Sequence, residues 1–206
     1  MSVHTELAHF EFDATAEADV AAAITRYPAG KQASAVMPLL HIAQRQMERL
    51  TGSAWVPVAA MDTIAKRLGM APVRVYEVAT FYLMYNTKPV AKYHLQVCTT
   101  TPCWLQGCDD VVAACKKISG ITFGESSKDG LFTMTEVECL GACVNAPILQ
   151  INDDYYEDMD GERTEKLLGD LKAGGALPPP GSTIGRRASE PLSGQTVLLQ
   201  TLNQAE

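Results

Sequence analysis

The sequence predicts an α+β protein, with a helical N-terminal bundle, a small α/β domain and an extended C-terminal tail. Three observations carry that expectation. Apolar residues recur at three- and four-residue spacing through the first ninety positions. The pattern changes to alternation after Pro89. From Leu177 onward Pro178-Pro179-Pro180 and scattered Gly and Ser replace any period. The expected divisions are 1–88, 89–175 and 176–206.

Ala16 to Arg26 is alanine-rich and helical, and Pro28-Ala29-Gly30 ends it. Lys31 to Arg49 places Val36, Leu39, Leu40 and Ala43 on one face. Pro57 opens a helix over Val58 to Leu68 that Gly69 stops, and Pro72 opens the next, expected to reach about Tyr85. Tyr93 to Cys98 alternates as a strand. Pro102 to Ser119 reads as one helix capped by Thr101, Leu131 to Glu138 as a strand, Ile148 to Ile151 as a short strand, and Thr164 to Ala173 as a closing helix. This β-α-β-β-α order builds a domain of about eighty residues.

Composition narrows the function. Hydrophobic residues make up 47% of the chain and charged residues 20%, enough to bury a core. Seventeen basic against 24 acidic residues give a net charge of −7. That balance argues against nucleic-acid binding, which rests on neutralising phosphates with Lys and Arg. Asp62 to Leu68 continuing to Tyr76 has the outline of a helix-turn-helix, but Arg74 with Glu77 supplies no basic recognition face, so helix packing explains it. No apolar run reaches the ~20 residues that span a bilayer. Met1 to Thr15 is acidic and lacks Arg, unlike a signal or transit peptide, which points to a reducing compartment or a presequence already removed.

Six cysteines in such a chain are first read as metal or redox ligands. Cys98 and Cys103 form C-x4-C, and Cys139 and Cys143 form C-x3-C, each pair in a loop that closes a predicted strand. Cys108 and Cys115 fall with Leu105 and Val112 on one expected helix face, where a free cysteine acts as a small hydrophobe. For the other four, spacing favours an iron–sulfur cluster and leaves structural zinc open. No C-x-x-C supports a dithiol oxidoreductase, and a Rieske centre fails because His94 alone among four histidines lies near these cysteines. Glu136 and Glu138 would lower the potential of a nearby cluster, or merely solvate a strand edge. Gly141 lets the second loop turn, and a bulky residue there is expected to push against the cluster or a partner. No G-x-G-x-x-G and no P-loop occur, so nothing suggests nucleotide or flavin binding by this chain itself.

Val97-Cys98-Thr99-Thr100-Thr101-Pro102-Cys103 and Val137-Glu138-Cys139-Leu140-Gly141-Ala142-Cys143-Val144-Asn145-Ala146-Pro147 resemble the thioredoxin-like [2Fe–2S] subunit of respiratory complex I. Arg74 to Tyr82, Pro89 to His94 and Gln150 to Asp158 are similar to the same subunit, in its mitochondrial and alphaproteobacterial branch. The resemblance implies a thioredoxin-like domain whose [2Fe–2S] cluster, of the N1a type, is held by Cys98, Cys103, Cys139 and Cys143. It implies a partner subunit carrying FMN and the NADH site, an adjacent large iron–sulfur subunit, and no catalytic residue in this chain. It also implies a place in the peripheral arm of complex I, on the matrix side of the mitochondrial inner membrane or the cytoplasmic side of the bacterial one. An equivalent subunit of an NAD-linked hydrogenase or formate dehydrogenase is the alternative. Two places depart from the family: a longer-looking loop from Glu48 to Ser53 before Trp55, and the tail, whose Val197-Leu198-Leu199 is expected to drape over a neighbouring subunit.

Overall fold

The structure is a computed structural model and describes residues 6–193. The predicted anchor at Val197-Leu198-Leu199 lies outside the described residues. The chain divides into two compact units at the Lys92–Tyr93 junction.

Among its described residues the first unit holds four α-helices, α1 (Ala14–Thr25), α2 (Val36–Thr51), α3 (Val58–Leu68) and α4 (Pro72–Phe81), with a 3-10 turn over Gln32–Ala35. Asp13 caps α1 by accepting the Ala16 N–H at 2.9 Å. Val20, Leu39, Leu40, Val56, Ile64 and Val75 are fully enclosed between the helices. Burying such an aliphatic side chain contributes about 1.5–3 kcal/mol, so this stripe holds the bundle together. The stretch from Glu48 to Ser53 is not a loop for most of its length. α2 continues to Thr51, and Gly52 ends it in the left-handed conformation at φ +76°.

The last helix stops earlier than its periodicity predicts. Tyr82 turns extended, leaving Phe81, Leu83 and Met84 exposed, while Tyr85 turns inward and donates to the Met37 carbonyl. Buried Gln44 accounts for this ending, because it accepts the Asn86 N–H and donates to the Met84 carbonyl. A side chain from α2 thus satisfies main-chain groups that a longer helix would have paired internally.

The second unit is a six-stranded sheet with helices. In chain order it contains β1 (Tyr93–Cys98), α5 (Thr101–Leu105), α6 (Cys108–Ser119), β2 (Glu125–Ser126), β3 (Phe132–Val137), β4 (Leu149–Ile151), β5 (Asp154–Glu157), α7 (Gly161–Lys172) and β6 (Gly181–Ser182). The strand order is β2-β3-β1-β4-β5-β6, with β1–β3 and β5–β6 parallel and the other pairs antiparallel. Leu95 and Val97 of β1, Met134 of β3, Leu149 and Ile151 of β4, Val111 and Cys115 of α6 and Leu168 of α7 form one core.

The helix expected over Pro102 to Ser119 is two helices. Gly107 sits at φ +90°, which ends α5 and starts α6 in a new direction. The segment after Gly175 also differs from a coreless tail. Gly181–Ser182 adds a parallel strand beside Tyr156–Glu157, and Tyr156 donates to the Pro178 carbonyl at 3.0 Å.

Candidate metal centre

β1 and β3 run side by side with Cys98 opposite Val137, so both deliver the chain to the same end of the sheet. Cys98 is the last residue of β1, and Cys139 comes two residues after β3 ends. The loops that leave these strands carry Cys103 on α5 and Cys143 at the start of a 3-10 turn.

The first pair is inside the protein. Cys98 and Cys103 are buried with Ile148, against Leu140, Ala142, Ala146 and Tyr155 from the second loop and its surroundings. The second pair faces out: Cys139 is exposed, Cys143 half-buried, and their sulfurs are 3.3 Å apart. Among the described residues, no three or more His, Cys, Asp or Glu side chains converge as a single metal ion requires. The donor set is instead two thiol pairs at one end of the sheet. Two pairs match a group with two irons, each taking two protein ligands.

Main-chain donors surround these sulfurs. Burial alone would raise the Cys98 thiol, but the Thr100 hydroxyl at 3.2 Å and the N–H groups of Thr100 and Leu140 outweigh it and lower its pKa. Burial, followed by hydrogen bonding to Cys98, pushes Cys103 up to about 12, against an opposing N–H from Ile148. The Gly141 N–H, 3.4 Å from its sulfur, leads in lowering Cys139, and Cys139 in turn raises Cys143. Each pair therefore contains one thiol inclined to ionise, and the thiolate is the metal-binding form. The donors that stabilise it are also suited to hydrogen-bond a cluster's sulfur. On these observations the residues present fit a [2Fe–2S] group.

Several local expectations change. Thr101 is the first residue of α5 rather than its cap; Thr100 occupies the cap position but makes no cap bond, because its hydroxyl is committed to Cys98. Cys108 and Cys115 do not share one environment. Cys115 lies in the sheet core, where burial pushes its thiol up to about 12. Cys108 opens α6 and packs with Cys98 and Cys103, while Leu105, its expected face-mate, is exposed. Glu136 is not simply a solvated edge, since it accepts from the Thr99 hydroxyl at 2.6 Å and ties the residue after Cys98 to β3. At Gly141 a Cβ would meet no other atom of this chain within 4 Å, and the backbone sits at φ +83°, a conformation that favours glycine.

Sequence reasoning missed three supporting residues. Tyr155 donates to the Leu140 carbonyl at 2.9 Å and steadies the second loop. Asn145, buried beside Cys143, donates to Glu157 and to the Ala188 carbonyl, while its own Oδ1 lacks a partner among the described residues. Arg186 reaches the Val144 carbonyl from the tail. Asn145 and Tyr155 lie within the motifs that carry the resemblance, but only the folded pairing shows what they hold.

An α/β sheet that presents two thiol pairs at the end of parallel strands defines a small iron–sulfur ferredoxin. The sequence matches the thioredoxin-like [2Fe–2S] ferredoxin family over residues 20–172. It is 54% identical over 145 residues to the E subunit of the NADH-quinone oxidoreductase of Rickettsia felis, covering 70% of this chain and 84% of that one. It is 43% identical over 194 residues to the mitochondrial NADH dehydrogenase [ubiquinone] flavoprotein 2 of Dictyostelium discoideum, covering 93% and 76%. The fold is also similar to a chain of an NAD+-reducing [NiFe]-hydrogenase, at TM-score 0.55 and 18% identity, over 68% of this chain and 23% of that one. This chain belongs to the thioredoxin-like [2Fe–2S] ferredoxin family, in its branch of NADH-quinone oxidoreductase E subunits.

Proposed function

We propose that this chain is the electron-transfer subunit of the NADH-oxidising module of a complex I, with Cys98, Cys103, Cys139 and Cys143 holding one [2Fe–2S] cluster of the N1a type. When bound, the cluster supplies one-electron exchange with FMN on a partner subunit, which also takes the hydride from NADH. The observation that carries this reading is the parallel β1–β3 pairing, which sets two thiol pairs at one sheet end among main-chain N–H donors. The relatives' names support the complex, whereas the hydrogenase likeness, at 18% identity, supports the fold.

In this role the chain's own residues position and insulate. The buried pair excludes water on one side, and Cys139 leaves an edge open to a partner. Trp104 and Leu105, directly after Cys103, and Val144, directly after Cys143, are exposed apolar side chains suited to a protein contact beside that edge. We place the flavoprotein subunit there, the large iron–sulfur subunit adjacent, and the assembly in the peripheral arm. Among the described residues no helix is long and apolar enough to cross a membrane.

Iron, sulfide and zinc analysis of the purified chain, with visible absorption and EPR after reduction, tests the cluster. The expected result is about two irons and two labile sulfides per chain, unchanged in Cys108→Ala and Cys115→Ala. One zinc with no sulfide would sink the proposal, and loss of the signal in either alanine variant would sink the assignment of ligands. Co-purification with an FMN-containing subunit tests the rest.

A further inference from the structure

We propose that residues 181–190 form a positioning strap for the cysteine loop 139–147, with Arg186 as its key residue; this rests on Cys139 and Cys143 holding the cluster. The strap lies beyond residue 172, where the family match ends.

The strap is anchored to the sheet edge first. Gly181–Ser182 pairs with Tyr156–Glu157, the Thr183 N–H donates to the Glu157 carbonyl at 3.0 Å, and the Thr183 hydroxyl to the carbonyls of Glu157 and Asp158. The chain then folds back on itself around Arg186. Its Nε and Nη2 donate to the Glu190 carbonyl at 2.9 and 2.7 Å, and its N–H to Ser182 Oγ at 3.1 Å. Nη1 donates to Asp158 Oδ1 at 2.7 Å, with both side chains about nine-tenths buried, and Ser182 donates to the other Asp158 oxygen at 2.7 Å.

From this knot two contacts reach the cysteine loop. Arg186 Nη1 lies 3.3 Å from the carbonyl oxygen of Val144, the residue after Cys143, and Asn145 Nδ2 donates to the Ala188 carbonyl at 2.9 Å. The Asn145 carbonyl also accepts the Asp158 N–H at 2.7 Å, so one residue ties strap and loop together. The loop packs inward through Leu140, Ala142 and Ala146, while Cys143 itself is only half-buried, so the tail's contacts at Val144 and Asn145 help set where Cys143 sits. Arg186 suits this use because its planar fork spreads donors over Nε, Nη1 and Nη2 to reach a carboxylate and two carbonyls in different directions, whereas an ammonium presents its three donors at one point.

The test uses the full-length, cluster-loaded chain. Arg186→Gln is expected to alter the EPR g-values and visible circular dichroism and to speed iron loss to a chelator by about tenfold. Arg186→Lys, which keeps the charge on Asp158 but gives up the fork, should speed it by about threefold. Leu168→Ala, a core truncation in α7, should lower the melting temperature while leaving the g-values and release rate unchanged. Wild-type g-values and release rate in Arg186→Gln overturn the proposal, as do equal changes in Leu168→Ala. If Arg186→Gln does not accumulate folded, a wild-type rate in Arg186→Lys overturns it. A wild-type chain with no [2Fe–2S] signal removes the ligand reading and the strap with it, whereas a normal signal indifferent to Arg186 removes the strap alone.

Discussion

Cys98 and Cys103 sit at the end of a central strand and in the first turns of a helix, nearly without solvent contact, whereas Cys139 and Cys143 sit on a loop that faces water and is tied down from outside. The first pair is placed by secondary structure that forms around it. The second is held by Asn145 of its own loop, bonded to the tail, and by Tyr155 and Arg186, which reach it from 16 and 47 residues beyond Cys139. One loop is fixed by what it is part of, and the other by what reaches it. On the proposed ligation, the two cysteine pairs should therefore fail in different ways.

The largest expected difference is between two serine substitutions. Cys103→Ser puts a hydroxyl in a buried, water-poor position, and iron content should fall below about a tenth of the wild-type value. Cys139→Ser changes an exposed position that water can reach, so a cluster should form but be lost faster. Iron content and visible absorption after gel filtration decide this, and equal loss in both would erase the distinction between the loops.

A smaller effect enters through β1, which carries Cys98. Burial lowers the pKa of His94 from 6.5 to about 4; its ring Nε2 lies 2.8 Å from Thr135 Oγ1, and its backbone N–H donates to Asn152 Oδ1. The folded ring stays neutral while the unfolded ring takes up a proton below pH 6.5. Stability should thus fall as pH drops from about 6.5 to 4, by up to about 3 kcal/mol, and be unaffected above that window. His94→Gln should flatten that part of a melting-temperature-versus-pH curve. An unchanged slope would mean that acid sensitivity comes from elsewhere.

Smallest is Gly141→Ala in the exposed loop. With open space around its Cβ, the cost is that of a left-handed alanine, about 1–2 kcal/mol. Urea unfolding should show that loss. A neutral result would mean that the second loop readjusts freely.

Much of this was legible before folding. Alanine richness, three- and four-residue spacing and the Pro and Gly stops located the four α-helices of the first unit, and Cys98 and Cys139 could be placed at the ends of expected strands. The break at Gly107 was hidden because Leu105, Cys108, Val112 and Cys115 keep helical spacing across it; one left-handed glycine turns the chain without disturbing the pattern. β6 is two residues long and lies in a segment with no hydrophobic period, so only its pairing with β5 reveals it. Arg186 and Asp158 are 28 positions apart, and charge pairing over that distance leaves no local mark. Support for the second pair was legible only in part, since Gly141 and Asn145 lie inside its motif while Tyr155 and Arg186 lie beyond it.

The parallel register of β1 and β3 also has a consequence in time. Parallel neighbours cannot be joined by a tight turn, so the crossover through α5 and α6 must be made before Val137 can lie beside Cys98. At ~5–20 residues per second, a ribosome needs about 2–8 seconds to add the forty residues that separate Cys103 from Cys143. For that interval a nascent chain displays one pair of thiols whose counterparts have not been synthesised, open to oxidation and to stray metal. On the proposed ligation, cluster delivery has to wait for the sheet. The water-facing Cys139 edge is then the natural port of entry.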